Sequence, residues 1–482
     1  MKKLKRFGMI CCFSMVLAYV LVAVNEVVRY KEPYGIVQYE GFYEQEKNTV
    51  DVLFLGTSHV YSNIDPAYIY DETGILSYDL ATGGAEIRST YYSFKQALKY
   101  QKPKVVVVEI FGAVRDDDHQ MQQREIVDAT YKLKDPLIKY EALKAVCDDT
   151  ENSVLEFWLA FPWYHTLYSD INRFDFSDYS NTICFNGNKY TYLYPKGNLK
   201  AYKGATTLLT TAPCEQIVDA RSIVDENPLT EKADEYIRKI IELAQKNNIS
   251  ICFLSSPFQA LTEEMQRKIN YIKNTICSER GCEFIDANCY IEEFGIDWTS
   301  DAGDAGHLNY KGSNKYSRWL SKILSSKYEL ENKKGAEEAV SWDDNLKWQY
   351  EFFAAKDLSE ITDFTNYIDR LAEENYMAFI LFRGNDYRNC GSLLVNDVNV
   401  DGYVMDGGQQ FIHHVGEPDL YLEDEKDYFK LVTGTAGSGI YHNGQIIANK
   451  NGEGIEIVVY DKWLNNIVDT VFFIGSELTA IR

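Results

Sequence analysis

The feature that most constrains the fold is the run Val105–Ile110 (VVVVEI), which follows Pro103 and in which five of six residues are β-branched. A continuous apolar run of this kind is typical of a strand that is buried on both faces of a parallel sheet. Short strands are also predicted at Asp51–Leu55, Ile75–Leu80 and Ile249–Leu254, with helical patterns between them. Strands that alternate with helices predict an α/β fold, in which a parallel sheet lies between two layers of helices.

Composition divides the rest of the chain into further segments. The α/β pattern covers about 51–330 and is interrupted by an insertion at about 113–228, which is first charged and then aromatic. The stretch 29–50 and the charged stretch 331–350 are interpreted as linkers. Glycine and asparagine punctuate strand-like runs in 351–482, which predicts a separate, mostly β, sandwich-like domain.

An apolar segment at residues 7–28 predicts a membrane-spanning helix. Its uninterrupted part has 18 residues, which at 1.5 Å per residue reach about 27 Å. The tail that precedes it, residues 1–6, contains four basic residues. The positive-inside rule therefore predicts a cytoplasmic tail and a single-pass protein of the cell membrane with its bulk on the extracellular side. A cleaved signal peptide is the alternative, although Val-Ala-Val-Asn-Glu matches the A-x-A cleavage pattern weakly.

Charge and cysteine usage exclude several classes of function. Lys+Arg 49 against Asp+Glu 72 give a net charge of −23 at pH 7, which disfavours binding to nucleic acid. The ten cysteines include no CxxC pair and no Cys/His cluster at zinc spacing, so we predict no metal site and no cofactor. Cys277 with Cys282, or Cys282 with Cys289, could form a disulfide in an oxidising compartment.

Three short motifs could carry chemistry. Gly56–His59 (GTSH) follows the first strand, and a serine on such a turn can point its Oγ out of the sheet. Asp304 precedes His307 by three residues, so its carboxylate can hold Nδ1–H while Nε2 faces Ser58 and accepts its proton. Gly84 follows the second strand, and its N–H with that of Ser58 would form an oxyanion hole.

Each motif also has a structural interpretation. Asp304 and His307 could merely cap the last helix. Asp301 competes with Asp304 as the carboxylate that orients the histidine. Gly84 could serve only to begin a helix. His59 could pack against its neighbours or donate to the oxyanion as an accessory residue. His165 lies in an aromatic stretch of the insertion, where it could reach the site or have a structural role.

Together these residues resemble the SGNH/GDSL hydrolase superfamily, which has a serine after strand one, a glycine after strand two and D-x-x-H late in the domain. Ser58, Gly84, Asp304 and His307 match those positions. The stretches FLGTSHVYSNIDP and DAGHLNYKGSNKYSRWL are similar to a membrane-anchored branch of that superfamily, with the proteins of lipoteichoic-acid D-alanylation and alginate O-acetylation.

Two departures from the superfamily pattern concern the same region. Position 57 is Thr where the hydrolases often have Asp, and the G-x-N-D block after strand three is replaced by Phe111–Val114 (FGAV). The oxyanion hole therefore lacks an asparagine donor, worth about 3 kcal/mol of barrier in other enzymes. His59 or a group from the insertion could replace it, or the enzyme is a slow esterase, or it transfers acyl groups from an activated donor. The resemblance implies that the membrane-anchored branch tolerates this loss.

The C-terminal stretch Gly454–Asp461 (GIEIVVYD), with Asn443-Gly444 before it and Asp469–Val471 after it, resembles the interleukin-like EMT-inducer (PANDER-like) β-sandwich. The resemblance implies a binding module for a glycan or a partner.

The sequence therefore predicts a membrane-anchored serine esterase or O-acyltransferase that acts on acylated cell-envelope glycans through a Ser-His-Asp triad. The expected substrate is an acylated polysaccharide or a small ester. Acyl transfer would require a multi-pass acyltransferase as a partner, because one span cannot carry acyl groups across a membrane. The alternative is a non-catalytic surface scaffold or glycan-binding protein with a degenerate SGNH site.

Overall fold

The computed structural model of the chain forms two compact units, Met1–Leu346 and Lys347–Arg482, which are described separately. The structure describes residues 2–28, 35–115, 121–148, 153–159, 163, 174–175, 184–185, 203–216, 218–371, 376–388, 390, 400–406, 409–414, 417–424, 427–433, 438–448, 452–464 and 466–481.

The first unit is built on a parallel sheet of five strands in the order β2-β1-β3-β6-β7. Its strands are β1 (Val52–Gly56), β2 (Ser77–Ala81), β3 (Val105–Glu109), β6 (Ser250–Ser255) and β7 (Glu283–Asp286), while β4 (Phe174–Asp175) and β5 (Cys184–Phe185) form a separate antiparallel pair. Because all five strands of the main sheet run in one direction, their carboxyl ends meet at one edge.

The helices of this unit lie before, between and after these strands along the chain, and the last of them continues past Leu346 into the second unit. They are α1 (Lys2–Val28), α2 (Ile36–Glu44), α3 (Ser58–Tyr61), α4 (Pro66–Thr73), α5 (Ile87–Ala97), α6 (Phe111–Val114), α7 (Gln123–Thr130), α8 (Pro136–Cys147), α9 (Glu231–Lys246), α10 (Glu263–Tyr271), α11 (Ser278–Arg280), α12 (Ile291–Phe294), α13 (Tyr310–Lys327) and α14 (Val340–Glu360). Short 3₁₀ turns lie at Val154–Phe157, Ala220–Ser222, Ala287–Cys289 and Glu337–Ala339, and a π-helical turn lies at Ile272–Cys277.

Alternate strand residues face two hydrophobic cores. Leu55 and Val106 face a core that includes residues of α2, α5, α9 and α10. Phe54 and Val107 face the opposite core, to which α4, α12 and α13 contribute. Since side chains alternate across a strand, continuous apolar runs such as β3 fill both cores. The predicted α/β fold with helices on both faces of a parallel sheet is confirmed.

Two helices lie partly or wholly in segments that were interpreted as linkers. In α2, Ile36, Tyr39 and Phe42 recur at helical spacing and are buried. In α14, which begins inside the stretch 331–350, the buried Trp342 donates its indole N–H to the carbonyl of Ser77 at 3.0 Å. Segments interpreted as linkers therefore contain helical residues that are buried in the core of the first unit.

The second unit contains antiparallel strands in two sheets, of orders β10-β9-β8-β15-β16-β17 and β11-β12-β13-β14. The strands are β8 (Tyr376–Arg383), β9 (Gly402–Asp406), β10 (Gln409–His413), β11 (Leu420–Asp424), β12 (Asp427–Val432), β13 (Gly439–His442), β14 (Gln445–Ala448), β15 (Gly454–Asp461), β16 (Asn466–Ile474) and β17 (Thr479–Ile481). Phe379, Phe429 and Tyr460 pack together from both sheets. The helices α15 (Phe364–Leu371) and α16 (Asn385–Arg388) complete the unit. The mostly β C-terminal domain is confirmed.

Two expectations concern the cellular compartment of the protein, namely the N-terminal membrane-spanning helix and the possible disulfides. Within the described residues, one helix, Lys3–Asn25, is long and apolar enough to cross a membrane, as an anchor or a signal sequence would be. Among the described cysteines, Cys277, Cys282 and Cys289 are free thiols, so neither of the two disulfides considered above is formed in this structure.

Candidate active site

Ser58 lies on a tight turn at the carboxyl end of β1. The preceding Gly56 has φ +150°, and a Cβ there would lie 2.7 Å from the Cβ of Glu109 on the neighbouring strand β3. Glycine is therefore required for the two strands to approach this closely. Thr57 caps the short helix α3, since its Oγ1 accepts the N–H of His59 at 3.3 Å. Ser58 begins that helix, so its own N–H has no intrahelical acceptor.

His307 reaches Ser58 across 249 residues of sequence. Its Nε2 lies 2.8 Å from Ser58 Oγ. Its Nδ1 lies 2.8 Å from Oδ1 and 3.0 Å from Oδ2 of Asp304. The structure thus brings a hydroxyl, an imidazole and a carboxylate into one hydrogen-bonded series, the order in which a base can accept a serine proton.

The Asp304 loop holds its own carboxylate in place. Oδ1 also accepts the N–H of Gly306 at 2.8 Å and the N–H of His307 at 2.9 Å. Partial burial raises the pKa of Asp304, but the bonds from the His307 ring and from these two N–H groups outweigh it and bring the pKa below its ordinary value. Asp304 is therefore ionised at neutral pH and can stabilise a protonated imidazole.

The structural alternatives for this loop are resolved by other residues. Asn309 is the N-cap of α13, where its Oδ1 accepts the N–H groups two and three positions further on. Asp304 and His307 are therefore not the cap. Asp301 is buried and accepts from Lys315 Nζ at 2.6 Å, while Nδ1 of His307 contacts Asp304.

Asn63 joins the three segments around the site. It is fully buried, and its Oδ1 accepts the N–H of Leu308, next to the histidine, at 2.9 Å. Its Nδ2 donates to the carbonyl of Pro257, which follows β6, at 3.1 Å. The sequence analysis did not single out this residue. The signal was an amide directly after the serine helix, in the stretch SNIDP.

Gly84 lies in the turn after β2, with φ +65°. Its carbonyl accepts Nη2 of Arg115 at 2.6 Å, and a Cβ at this position would overlap the side chain of Glu125 on α7. Because β1 and β2 are parallel neighbours, the Gly84 turn and Ser58 lie at the same edge of the sheet. This position is compatible with a second oxyanion donor.

His59 is buried beside the catalytic candidates. Its ring centroid lies 4.2 Å from that of Phe111, 4.9 Å from that of Phe258 and 5.4 Å from that of His307. Burial lowers the pKa of His59 well below its ordinary value, and the nearby His307 lowers it further, so the ring is neutral at pH 7. His165 lies outside the described residues.

Glu109, at the end of β3, is the other polar group of the site that the sequence analysis missed. It is 2 % exposed, and burial raises its pKa to about 7, although bonds from Thr57 and Phe111 act in the opposite direction. Within the described part of the chain, no three His, Cys, Asp or Glu side chains are arranged to hold a metal ion.

Similarity to known proteins is found among solved structures. No family model matches the chain, and no curated protein matches it. One similar solved structure is from Bacteroides fragilis and is provisionally described as an acylhydrolase. The two sequences are 9 % identical, the matched region covers 60 % of this chain and 93 % of the other chain, and the TM-score is 0.30. Another is from Desulfitobacterium hafniense and is provisionally described as a lipolytic protein of the G-D-S-L family. Its sequence is 9 % identical, the matched region covers 57 % of this chain and 98 % of the other chain, and the TM-score is 0.27.

Proposed function

We propose that this protein is a serine esterase or O-acyltransferase with Ser58 as its nucleophile. The observation that carries the proposal is the 2.8 Å contact between Ser58 Oγ and His307 Nε2, with Asp304 on the other side of the ring. A serine hydroxyl is a weak nucleophile unless a base adjoins it. Asn309 already caps α13, so the bonds of the triad are not needed to complete that helix.

The proposed reaction has two half-reactions. Ser58 Oγ attacks the acyl carbonyl carbon while His307 Nε2 accepts the hydroxyl proton, and Asp304 stabilises the imidazolium. The N–H groups of Ser58 and Gly84 donate to the oxyanion. The imidazolium then protonates the leaving alcohol, which departs and leaves an acyl-serine. His307 next deprotonates water, in an esterase, or a sugar hydroxyl, in a transferase, and that oxygen attacks the acyl carbon. The bond from the acyl carbon to Ser58 Oγ then breaks, and the imidazolium returns its proton to Ser58.

The substrate we propose is an acylated cell-envelope glycan or a small ester outside the membrane. The apolar helix α1, whose first residues are basic, supports a single-pass anchor with the bulk of the chain on the extracellular side. The C-terminal sandwich would hold the glycan or a partner, as its PANDER-like resemblance implies. Transfer would require a multi-pass acyltransferase to supply acyl groups.

Labelling with a fluorophosphonate tests the nucleophile. The full-length protein in detergent should be labelled, and Ser58→Ala and His307→Ala should each abolish labelling. Ser62→Ala, four residues further along the same segment, is the matched control and should be labelled like the wild type. A folded wild-type protein that is never labelled would instead support the scaffold alternative.

The direction of the reaction needs a second measurement. Acetate release from a model ester should exceed acyl transfer to an added glycan if the enzyme is an esterase. The reverse result, in membranes that also contain the multi-pass acyltransferase, would indicate transfer.

A further inference from the structure

We infer that Glu109 is a positioning residue for the nucleophile: its buried carboxyl group clamps Thr57, and thereby fixes the peptide that carries Ser58. This inference rests on the proposed function, because it concerns the reactivity of Ser58. Glu109 itself does not touch the substrate.

The clamp consists of three hydrogen bonds. Oε2 of Glu109 accepts the hydroxyl of Thr57 at 2.8 Å and the N–H of Thr57 at 3.3 Å. Oε1 accepts the N–H of Phe111 at 2.7 Å. One carboxyl group therefore ties the end of β1 to the chain that leaves β3.

The turn that carries Ser58 needs such support. The helix α3, Ser58–Tyr61, is a single turn, and an isolated turn of helix is unfavourable because nucleation fixes several dihedrals for few bonds. Thr57 is extended, with φ −103° and ψ −164°. The ψ angle of Thr57 sets the orientation of the peptide bond between Thr57 and Ser58, and therefore the direction of the Ser58 N–H. Holding Thr57 by both its N–H and its hydroxyl therefore orients both the oxyanion donor and the Oγ of Ser58.

The clamp also gives a physical reason for the threonine at position 57. An aspartate at position 57 would place a second carboxyl group against Glu109, and the two negative charges would repel each other in a buried site. A threonine hydroxyl donates to the carboxyl instead. Thr57 and Glu109 therefore form a matched pair of donor and acceptor.

Glu109 also adjoins the second histidine of the site. Its Oε1 lies 3.9 Å from Nδ1 of His59, and the His59 ring packs edge-on against His307. A buried carboxyl group is costly unless it is well hydrogen-bonded, and the elevated pKa of Glu109 reflects that cost. The clamp thus costs stability at a position that adjoins both the nucleophile turn and His59, the ring that packs against His307.

The test compares four full-length proteins in detergent: wild type, Thr57→Val, Thr57→Ser and Glu109→Gln. Valine matches threonine in shape but lacks the hydroxyl, whereas serine keeps it. Glutamine keeps the size of glutamate, but one of the donors now faces an NH₂ group. For each protein we would measure the second-order rate constant of fluorophosphonate labelling, kcat and KM on a model ester, and the melting temperature.

We expect Thr57→Val and Glu109→Gln to lower the labelling rate and kcat by about 10- to 100-fold, the effect of losing a hydrogen bond to a charged group. KM should remain within about twofold, because the clamp orients the nucleophile and does not bind substrate. Thr57→Ser should restore the rate to within about threefold of wild type. A residue that only stabilises the fold would lower the melting temperature without changing the rate of the folded molecules.

Two results would overturn the inference while leaving the proposed function intact. One is a Thr57→Val protein that is labelled at the wild-type rate. The other is an equal loss in Thr57→Ser and Thr57→Val, which would show that the hydroxyl is not what matters. Should Thr57→Val unfold below the assay temperature, Glu109→Gln decides by the same rates. A wild type that is never labelled would instead refute the proposed function itself.

Discussion

Replacing Asp304 with asparagine is expected to slow the reaction of Ser58 while leaving the loop folded. The amide oxygen can keep the bonds that Oδ1 accepts from the N–H groups of Gly306 and His307. The amide oxygen at this position can also still accept Nδ1–H, whereas an NH₂ group takes the place of Oδ2 and the bond of 3.0 Å to that atom is lost. The neutral amide therefore stabilises less well than the carboxylate the imidazolium that forms when Ser58 gives up its proton.

The expected magnitude depends on the exposure of the carboxylate. In a protease with a buried carboxylate, the same substitution lowers kcat about 10⁴-fold. The Asp304 side chain is 53 % exposed, so water screens its negative charge. When that charge is removed, water can partly replace its interaction with the imidazolium. A hydrogen bond to a charged group is worth about 1.5–3 kcal/mol, and about 1.4 kcal/mol is a factor of ten. We therefore expect a loss of about 10- to 150-fold.

The assay is the rate of fluorophosphonate labelling at pH 7.5, corrected for the folded fraction by circular dichroism. Asp301→Asn is the matched control, because that carboxylate lies three residues earlier and pairs with Lys315. Its labelling rate per folded molecule should equal that of the wild type. Wild-type labelling in Asp304→Asn, or the loss appearing in Asp301→Asn instead, would refute the assignment of the orienting carboxylate.

Asn63→Ala is expected to lower the free energy of unfolding by about 2–4 kcal/mol in urea denaturation, because it leaves the N–H of Leu308 and the carbonyl of Pro257 buried without partners; a change below about 0.5 kcal/mol would contradict this. Asp79 is fully buried, and within the described residues neither of its carboxyl oxygens has a hydrogen-bond partner. Burial raises its pKa well above the ordinary value, so the unfolded chain ionises first and stability falls as the pH rises. Asp79→Asn should therefore raise the melting temperature more at pH 8 than at pH 5, and calorimetry showing an equal gain at both would contradict it. Deleting residues 1–28 should move the protein from the detergent phase to the aqueous phase in a phase-separation assay without changing its labelling rate; a full-length protein already in the aqueous phase would refute anchoring.

The sheet could be predicted because strands that are buried on both faces consist mostly of apolar residues. Apart from Glu109, the run Val105–Ile110 is apolar and β-branched, which is typical of a strand covered on both faces. The three-residue spacing of Asp304 and His307 similarly limits the geometry to one turn, and the structure places the two side chains in contact. Their catalytic role remains a prediction until labelling is measured.

The missed residues share a physical reason. Glu109 ends an apolar strand, and its partner Thr57 could be identified only once β1 was known to lie next to β3. The order of the strands in the sheet differs from their order along the chain, so a single sequence does not show which strand ends lie side by side. Asn63 was missed likewise, because its partners at Leu308 and Pro257 are joined to it only by the tertiary fold.

The separation of the nucleophile from its base has a consequence for biosynthesis. Ser58 is translated long before His307, and its hydroxyl lacks this proton acceptor until the loop that carries His307 reaches the sheet. Chains that stop before His307 would therefore be chemically inert. The activity that we propose would begin only in molecules in which that loop had docked, so half-made copies could not release acyl groups prematurely.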